Sequence, residues 1–205
     1  MLLKEKVFFI SQTLDRLFPS PKPPLKHKDL FTLLIAVVLS ARATDAKVNE
    51  ITPFLFEKAG TPQKMAKLDV AILEKIIQPI GFYKTKAKNI QKLSEILLEK
   101  HQGKVPQTFE ELEALPGVGH KTASVIMAQG LHIPAFPVDT HIFRCARRWG
   151  LSKGTTVEKV EKDLKRIFPK KDWIKIHLQI IYFARKYCSA KKHRIEDCPI
   201  CKNLL

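Results

Sequence analysis

An all-α fold is predicted, because apolar residues recur at helical spacing along nearly the whole chain of 205 residues. The alternating patterns typical of half-buried strands are almost absent, and the connections between helical segments are short. Apolar residues make up 45% of the chain, which is enough to bury a core. We therefore expect about ten helices, arranged in one large domain or in two small lobes.

Prolines and capping residues divide the helical pattern along the chain. An amphipathic helix at the start ends before Pro19, and Asp29 is placed to cap the next helix. That second helix carries the apolar run at 33–39, which is too short to span a bilayer. Further helices are predicted over 44–58, 62–67, 70–79, 84–101, 108–114, 121–130, 139–149, 156–167 and 171–187. The proline-rich stretches near 19–24 and 134–137 are the predicted seams between the two lobes.

The chain is strongly basic, with 36 Lys and Arg against 20 Asp and Glu and a formal charge of +16. Such an excess indicates a polyanionic partner, with nucleic acid ahead of membrane. A merely soluble basic protein is the alternative interpretation. No stretch resembles a signal peptide, so we expect a cytoplasmic protein with reduced thiols.

The segment LPGVGHKTA at 115–123 carries two glycines in a turn before a predicted helix. Gly117 and Gly119 allow positive φ and a close approach of the backbone to a ligand. The helix that opens near His120 or Lys121 begins with amides that have no intrahelical partner. Together with the helix dipole, these amides predict a phosphate site that holds DNA without reading its sequence.

The helix before this turn completes a helix–hairpin–helix over about 108–130. Leu115 and Val118 are expected to point inward and to pack its two helices together. An ordinary tight turn, which needs only one glycine, is the alternative interpretation.

LPGVGHKTASVI, followed by FPVDTHIFR, closely resembles the endonuclease III family of DNA base-excision glycosylases. The segments LLIAVVLSARATDAKVNE and IGFYKTKAKNI and the C-terminal cysteines extend the resemblance over nearly the whole chain. It implies a two-lobed helix–hairpin–helix DNA glycosylase fold. Residues 22–133 would form a six-helix barrel domain, and residues 1–21 with 134–205 would form the second domain, with DNA bound across the cleft between them.

Lys121 and Asp139 are the catalytic residues that this resemblance implies. Lysines tuned by their surroundings form Schiff bases with aldehydic carbons, and Lys121 would attack C1′ of the damaged nucleotide. Asp139 is placed to cap the helix that follows it, and its carboxylate would assist deprotonation of the lysine. A surface lysine and a purely structural cap are the alternatives.

The implied reaction is bifunctional: the base is displaced by the lysine, and β-elimination then cuts the strand 3′ to the lesion. The implied substrates are oxidised pyrimidines and abasic sites in double-stranded DNA. The enzyme is expected to be a monomer associated with the nucleoid, without contact to a membrane. A monofunctional glycosylase acting on mismatched adenine and a non-catalytic helix–hairpin–helix DNA-binding module are the alternative functions.

Two side chains are predicted to fill the gap that a flipped base leaves. In the family one filler comes from the loop after the first barrel helix, here LSARATD, and it would be Arg42. Most bacterial relatives have glutamine there. Phe82 is the second candidate, since an aromatic ring can stack between bases, with core packing as the alternative.

Further DNA contacts are expected from basic clusters and from the two motifs. Lys84, Lys86 and Lys88 form a phosphate-facing patch or a solvated helix face, and Arg144, Arg147 and Arg148 form a second basic cluster. The remaining predicted DNA-binding residues are Leu115, Gly117, Val118, Gly119, His120, Thr140 and His141.

Cys188, Cys198 and Cys201 are spaced C-x₉-C-x₂-C, which in a reducing compartment indicates a metal. The resemblance implies a [4Fe–4S] cluster with the pattern C-x₆-C-x₂-C-x₅-C, whose last cysteine would fall at position 207, beyond the 205 residues of this sequence. Three alternatives follow: a cluster held by three cysteines and another ligand such as His193, no metal, or zinc in a Cys₃His site. Cys145 is interpreted as packing. The lysine chemistry needs no cofactor.

Overall fold

The computed structural model describes residues 1–191 and 193–204, and over those residues it contains only helices and the loops between them. The prediction of an all-α fold is therefore confirmed. The α-helices, numbered in chain order, are α1 (Leu3–Leu17), α2 (Leu30–Ser40), α3 (Asp45–Ala59), α4 (Pro62–Lys67), α5 (Val70–Ile77), α6 (Tyr83–His101), α7 (Phe109–Glu113), α8 (His120–Val125), α9 (Thr140–Arg148), α10 (Val157–Ile167), α11 (Trp173–Lys186) and α12 (Cys201–Leu204). A π-helical turn, Ile126–Gly130, continues α8, and a 3₁₀ turn, Lys170–Asp172, precedes α11.

Side-chain caps explain where most of these helices begin. Asp29 accepts a hydrogen bond from the Thr32 amide (2.8 Å) at the start of α2, as the sequence predicts. Threonines cap four more helices in the same way: Thr44, Thr61, Thr108 and Thr156 precede α3, α4, α7 and α10. The helix predicted over 121–130 is α-helical only as far as Val125, because apolar spacing alone does not distinguish a π turn from an α turn.

The chain divides into two compact units. The central unit is residues 23–133, and the terminal unit is residues 1–22 together with 134–205.

In the central unit, α2 is the core helix. Every residue from Phe31 to Leu39 is buried, since this helix is apolar on all sides. It packs against α3, α6, α8 and the π turn. The end of α2 is therefore fixed by surrounding helices, and the loop that follows it starts from a rigid base.

In the terminal unit, both chain ends contribute to one core. Ile10 of α1 is fully buried with Trp149 and Phe183, whose rings meet edge to face at 5.4 Å. The Gln179 amide of α11 donates to Asp15 Oδ1 (2.8 Å), which joins α1 to α11 by a polar contact as well.

Among the described residues, none of the helices combines the length with the apolar character that crossing a bilayer demands.

Candidate active site

A helical hairpin in the central unit presents the LPGVGHKTA segment. Helix α7, the turn and α8 follow each other directly, and the Val118 amide donates to the Leu115 carbonyl (3.1 Å) across the turn. Leu115 is 2% exposed and Val118 is 5% exposed. Both side chains are thus part of the core, and the polar backbone of the turn faces outward.

The two glycines of this turn differ in whether the structure requires glycine at their position. Gly117 has a φ of +79°, and a Cβ there would lie 3.1 Å from the Asn89 amide nitrogen. Gly119 has an ordinary extended backbone, and no atom lies within 4 Å of the position where its Cβ would be. Only Gly117 therefore requires glycine for its conformation, whereas Gly119 leaves open space at the start of α8.

Helix α8 begins at His120, and no side chain of the described residues caps it. Its first amides therefore point toward this open space. His120 Nδ1 lies 2.7 Å from Glu113 Oε1, and the imidazole ring stacks on Phe109 at 5.4 Å. His120 thus ties α8 to α7, while the next side chain, Lys121, is exposed in the first turn of α8.

Arg42 and Phe82, the two predicted gap fillers, lie together in the central unit. The Arg42 guanidinium carbon is 5.1 Å from the centroid of the Phe82 ring. Both residues have positive φ, +56° and +61°, which is rare for residues with side chains and common at functional sites. Phe82 is 62% exposed, so the alternative of core packing is wrong for this residue.

The lysines of α6 do not form one patch. Lys84 and Lys88 are exposed, but Lys86 is only 7% exposed. Its ammonium donates to the carbonyls of Leu39 (2.9 Å) and Ala41 (2.6 Å), and burial lowers the pKa of Lys86. A spacing of two residues turns a helical side chain to the opposite face, which explains the difference.

A groove of about 350 Å³ joins the Arg42 loop to the hairpin turn. It is lined by Val38, Ala41, Arg42, Phe82, Thr85, Lys86, Asn89 and Gly117. Three predicted site residues therefore meet in one place. Lys86, predicted for a phosphate-facing patch or a solvated helix face, instead supports them from the buried side of α6, and Asn89 is a lining residue that the sequence did not predict.

In the terminal unit, Asp139 caps α9. Its carboxylate accepts a hydrogen bond from the Ile142 amide (2.8 Å), as the sequence predicts for a cap. Asp139 is half-buried, Thr140 is exposed, and His141 is half-buried with its Nδ1 3.2 Å from Arg144 Nη2. One carboxylate oxygen is thus held by the helix start, which fixes the orientation of the group.

Two of the three arginines in the predicted basic cluster of α9 hold the C-terminal segment by hydrogen bonds. Arg144 donates through Nε and Nη2 to the Cys188 carbonyl (3.1 and 2.9 Å). Arg148 donates to the Ser189 carbonyl (2.7 Å) and lies 3.4 Å from the Cys188 sulfur. Only Arg147 of the three is exposed, because a helix directs residues three or four apart to one face and the residue between them to another.

All four cysteines are buried and free. The ligand atoms of Cys188, His193, Cys198 and Cys201 lie within 4.8 Å of one another, so these side chains could hold a metal ion. Thiol contacts from Cys145, Cys198 and Cys201 lower the pKa of Cys188, against the opposing effect of burial. Cys145 itself is not a member of this group of four.

Comparisons with known proteins agree with these features. A model of the HhH-GPD superfamily of base excision DNA repair proteins matches residues 35–170. The chain is 40% identical over 201 residues to endonuclease III of Bacillus subtilis, covering 98% of this chain and 92% of that protein. It is 43% identical over 182 residues to endonuclease III of Escherichia coli, covering 89% of this chain and 86% of that protein.

Two solved structures have the same fold. One is a non-covalent endonuclease III–DNA complex, with a TM-score of 0.95 and 41% identity, covering 100% of this chain and 95% of the other. The second is a trapped endonuclease III–DNA covalent intermediate, an estranged-adenine complex, with a TM-score of 0.93 and 42% identity, covering 98% and 94%.

Proposed function

This chain belongs to the endonuclease III family, within the HhH-GPD superfamily of base excision DNA repair proteins, and on that basis we propose that Lys121 and Asp139 carry its catalysis. It is a base excision repair enzyme, a bifunctional DNA N-glycosylase and AP lyase. The observation that carries the assignment of Lys121 is that its side chain is exposed in the first turn of α8, directly after the hairpin turn. The chain also shares its fold with a trapped endonuclease III–DNA covalent intermediate.

The lysine supplies the nucleophile. Lys121 Nζ forms a bond to C1′ of the everted nucleotide as the glycosidic bond breaks, and the base leaves with that electron pair and takes up a proton. The amine loses its protons, the sugar ring opens, and an imine joins Lys121 to the sugar. Loss of a 2′ proton then expels the 3′ phosphate, which cuts the strand, and water releases the enzyme.

Asp139 serves as the acid–base partner. Because the Ile142 amide holds one carboxylate oxygen, the group has a fixed direction and little freedom to turn away. Its negative charge assists deprotonation of the lysine and stabilises the positive charge that develops at the sugar. Capping and catalysis are therefore compatible in one residue.

The hairpin holds the DNA backbone. The uncapped amides at the start of α8, with Gly117 and Gly119 before them, suit a phosphate group. Contacts of this kind carry no sequence information, which suits an enzyme that must act at any position. His120, Lys84, Thr140 and His141 add further contacts to the duplex.

Arg42 and Phe82 fill the gap left by the everted base. Their contact at 5.1 Å makes one exposed unit from an aromatic ring and a planar cation, both of which stack on bases. Arginine offers five donors, so it can hydrogen-bond the base opposite the lesion. The preferred opposite base of this enzyme is set by Arg42.

The substrates are oxidised pyrimidines and abasic sites in double-stranded DNA. The formal charge of +16 supports strong attraction to this polyanion. The enzyme acts as a monomer in the cytoplasm, at the nucleoid. A metal in the cysteine segment would stabilise the terminal unit, and by donor type the three thiolates and one imidazole suit either a [4Fe–4S] cluster or zinc.

Borohydride trapping tests the proposal. Duplex DNA with one oxidised thymine is incubated with the enzyme and borohydride, which reduces the imine to a stable amine. We expect a covalent adduct with the wild type and with the exposed-site control Lys104→Ala, and none with Lys121→Ala. Binding without an adduct would indicate a DNA-binding module, and base release without strand cleavage would indicate a monofunctional glycosylase.

A further inference from the structure

The C-terminal segment of the terminal unit contains four ligand-type side chains that converge on one point. Their sequence spacing is C-x₄-H-x₄-C-x₂-C, from Cys188 through His193 and Cys198 to Cys201. All four ligand atoms lie within 4.8 Å of one another. We propose that these four side chains bind a single zinc ion, which fastens the C-terminal segment to the rest of the terminal unit.

The sulfur spacing favours one ion over a cluster. Zinc binds thiolate at about 2.3 Å in a tetrahedron, so two thiolates on one zinc lie about 3.8 Å apart. The sulfurs of Cys188 and Cys201 are 3.9 Å apart. In a [4Fe–4S] cluster each terminal ligand binds a different iron atom, which requires wider spacing between the sulfurs. The observed distance therefore suits two sulfurs on one ion and is too short for two sulfurs that bind different iron atoms.

His193 supplies the fourth ligand. Its Nε2 is buried and has no hydrogen-bond partner among the described residues, although buried polar atoms are normally paired. The same imidazole lies within 4.8 Å of the three sulfurs. A metal ion at the centre of the group would satisfy this nitrogen, and Cys₃His is an ordinary donor set for structural zinc.

The surroundings of the sulfurs suit thiolates bound to a metal. The Cys201 amide points to the Cys198 sulfur (3.4 Å), and the Arg148 guanidinium lies 3.4 Å from the Cys188 sulfur. Three thiolates and one zinc ion carry a net charge of −1, which the guanidinium offsets. Such outer contacts hold metal ligands in their bound orientation.

Metal analysis of the purified protein tests this inference. The protein is produced in minimal medium containing both zinc and iron, and purified without chelator and without oxygen. We expect about one zinc per chain, no acid-labile sulfide and no broad visible absorption. Iron and sulfide in equal amounts with visible absorption would overturn the inference in favour of a cluster, and protein without any metal would overturn it as well.

Variants identify the ligands independently of enzyme activity. His193→Ala should lower zinc affinity more than about 100-fold in a competition titration with a chromophoric chelator. His193→Cys should keep one zinc, since it restores four donors, and the matched control Cys145→Ala should bind zinc like the wild type. Zinc affinity in His193→Ala equal to that of the wild type would remove His193 from the site.

Cobalt replacement gives a second readout that does not depend on the folding of His193→Ala. Co²⁺ in this site should show the visible bands of tetrahedral coordination. The sulfur-to-metal charge-transfer absorption should be about one third stronger in His193→Cys, because four thiolates replace three. Equal intensity in the two proteins would contradict ligation by His193.

Discussion

Replacing Lys86 by methionine removes a buried ammonium but keeps most of the aliphatic stem. In the wild type this group donates to the carbonyls of Leu39 and Ala41, at the end of α2 and just before Arg42. Leu39 is fully buried, so its carbonyl would lose a donor in a place that water does not reach. An unsatisfied buried acceptor costs about 1–3 kcal/mol, and the carbonyl of the exposed Ala41 would lose less because water can replace the amine.

We therefore expect Lys86→Met to lower the free energy of unfolding by about 2–3 kcal/mol and Tm by about 5–10 °C. The matched control is Lys88→Met, which makes the same change at an exposed position of α6 and should stay within about 0.5 kcal/mol of the wild type. Urea unfolding followed by circular dichroism measures both. Equal stability of the two variants would refute the support that we assign to Lys86.

The pH dependence of the free energy of unfolding provides a second test of the role of Lys86. Burial lowers the pKa of Lys86 in the folded protein, so between that pKa and the ordinary lysine pKa the unfolded chain holds more protons at this position. The contribution of Lys86 to the free energy of unfolding therefore rises with pH in this alkaline range. The stability difference between wild type and Lys86→Met should widen as pH increases there, and a constant difference would contradict the burial effect.

Five further substitutions separate structural from functional roles of the predicted site residues. Asp139→Asn should keep the cap of α9, because Asn caps a helix as well as Asp does. The same variant should slow strand cleavage at least about 100-fold in a gel assay. An unchanged cleavage rate would leave Asp139 with only its capping role. Gly117→Ala should lower the free energy of unfolding, measured in urea, by about 2 kcal/mol because Gly117 has a φ of +79°. Gly119→Ala should lower it by less than about 1 kcal/mol and should weaken DNA binding. Equal losses of stability in the two variants would contradict the difference between the two glycines. Phe82→Ala should leave Tm unchanged, since the ring is exposed, but slow base release from duplex DNA; normal release would remove Phe82 from the contact. Arg42→Gln should change the ranking of cleavage rates on four duplexes that differ only in the base opposite the lesion, and the same ranking would rule out opposite-base selection by Arg42.

The sequence predicts the helices well because local features determine them. Asp29 and Asp139 lie next to apolar runs with helical spacing, so their caps could be identified without the fold. The inward-facing Leu115 and Val118 were predictable for the same reason. The role of Lys86 was not predictable, since its carbonyl partners are more than forty residues away in sequence and only the packed helices bring them close.

Contacts between residues far apart in sequence also explain why two features of the terminal unit could not be predicted. Arg144 and Arg148 look like a DNA-binding cluster in sequence, and only their contacts to the Cys188 segment assign them a supporting role. His193 could be named as a candidate ligand because it lies between Cys188 and Cys198, but the sequence does not choose between a cluster, zinc and no metal. The buried position of the His193 Nε2 atom beside three cysteines becomes visible only when the segment is folded.

The attachment point of the trapped sugar tests the central proposal most directly. Enzyme reduced with borohydride on lesion-containing duplex is digested with nuclease and protease, and the peptides are sequenced by tandem mass spectrometry. The sugar remnant should sit on Nζ of Lys121 and on no other amine. A remnant on the α-amino group of Met1 or on another lysine would contradict the proposed nucleophile.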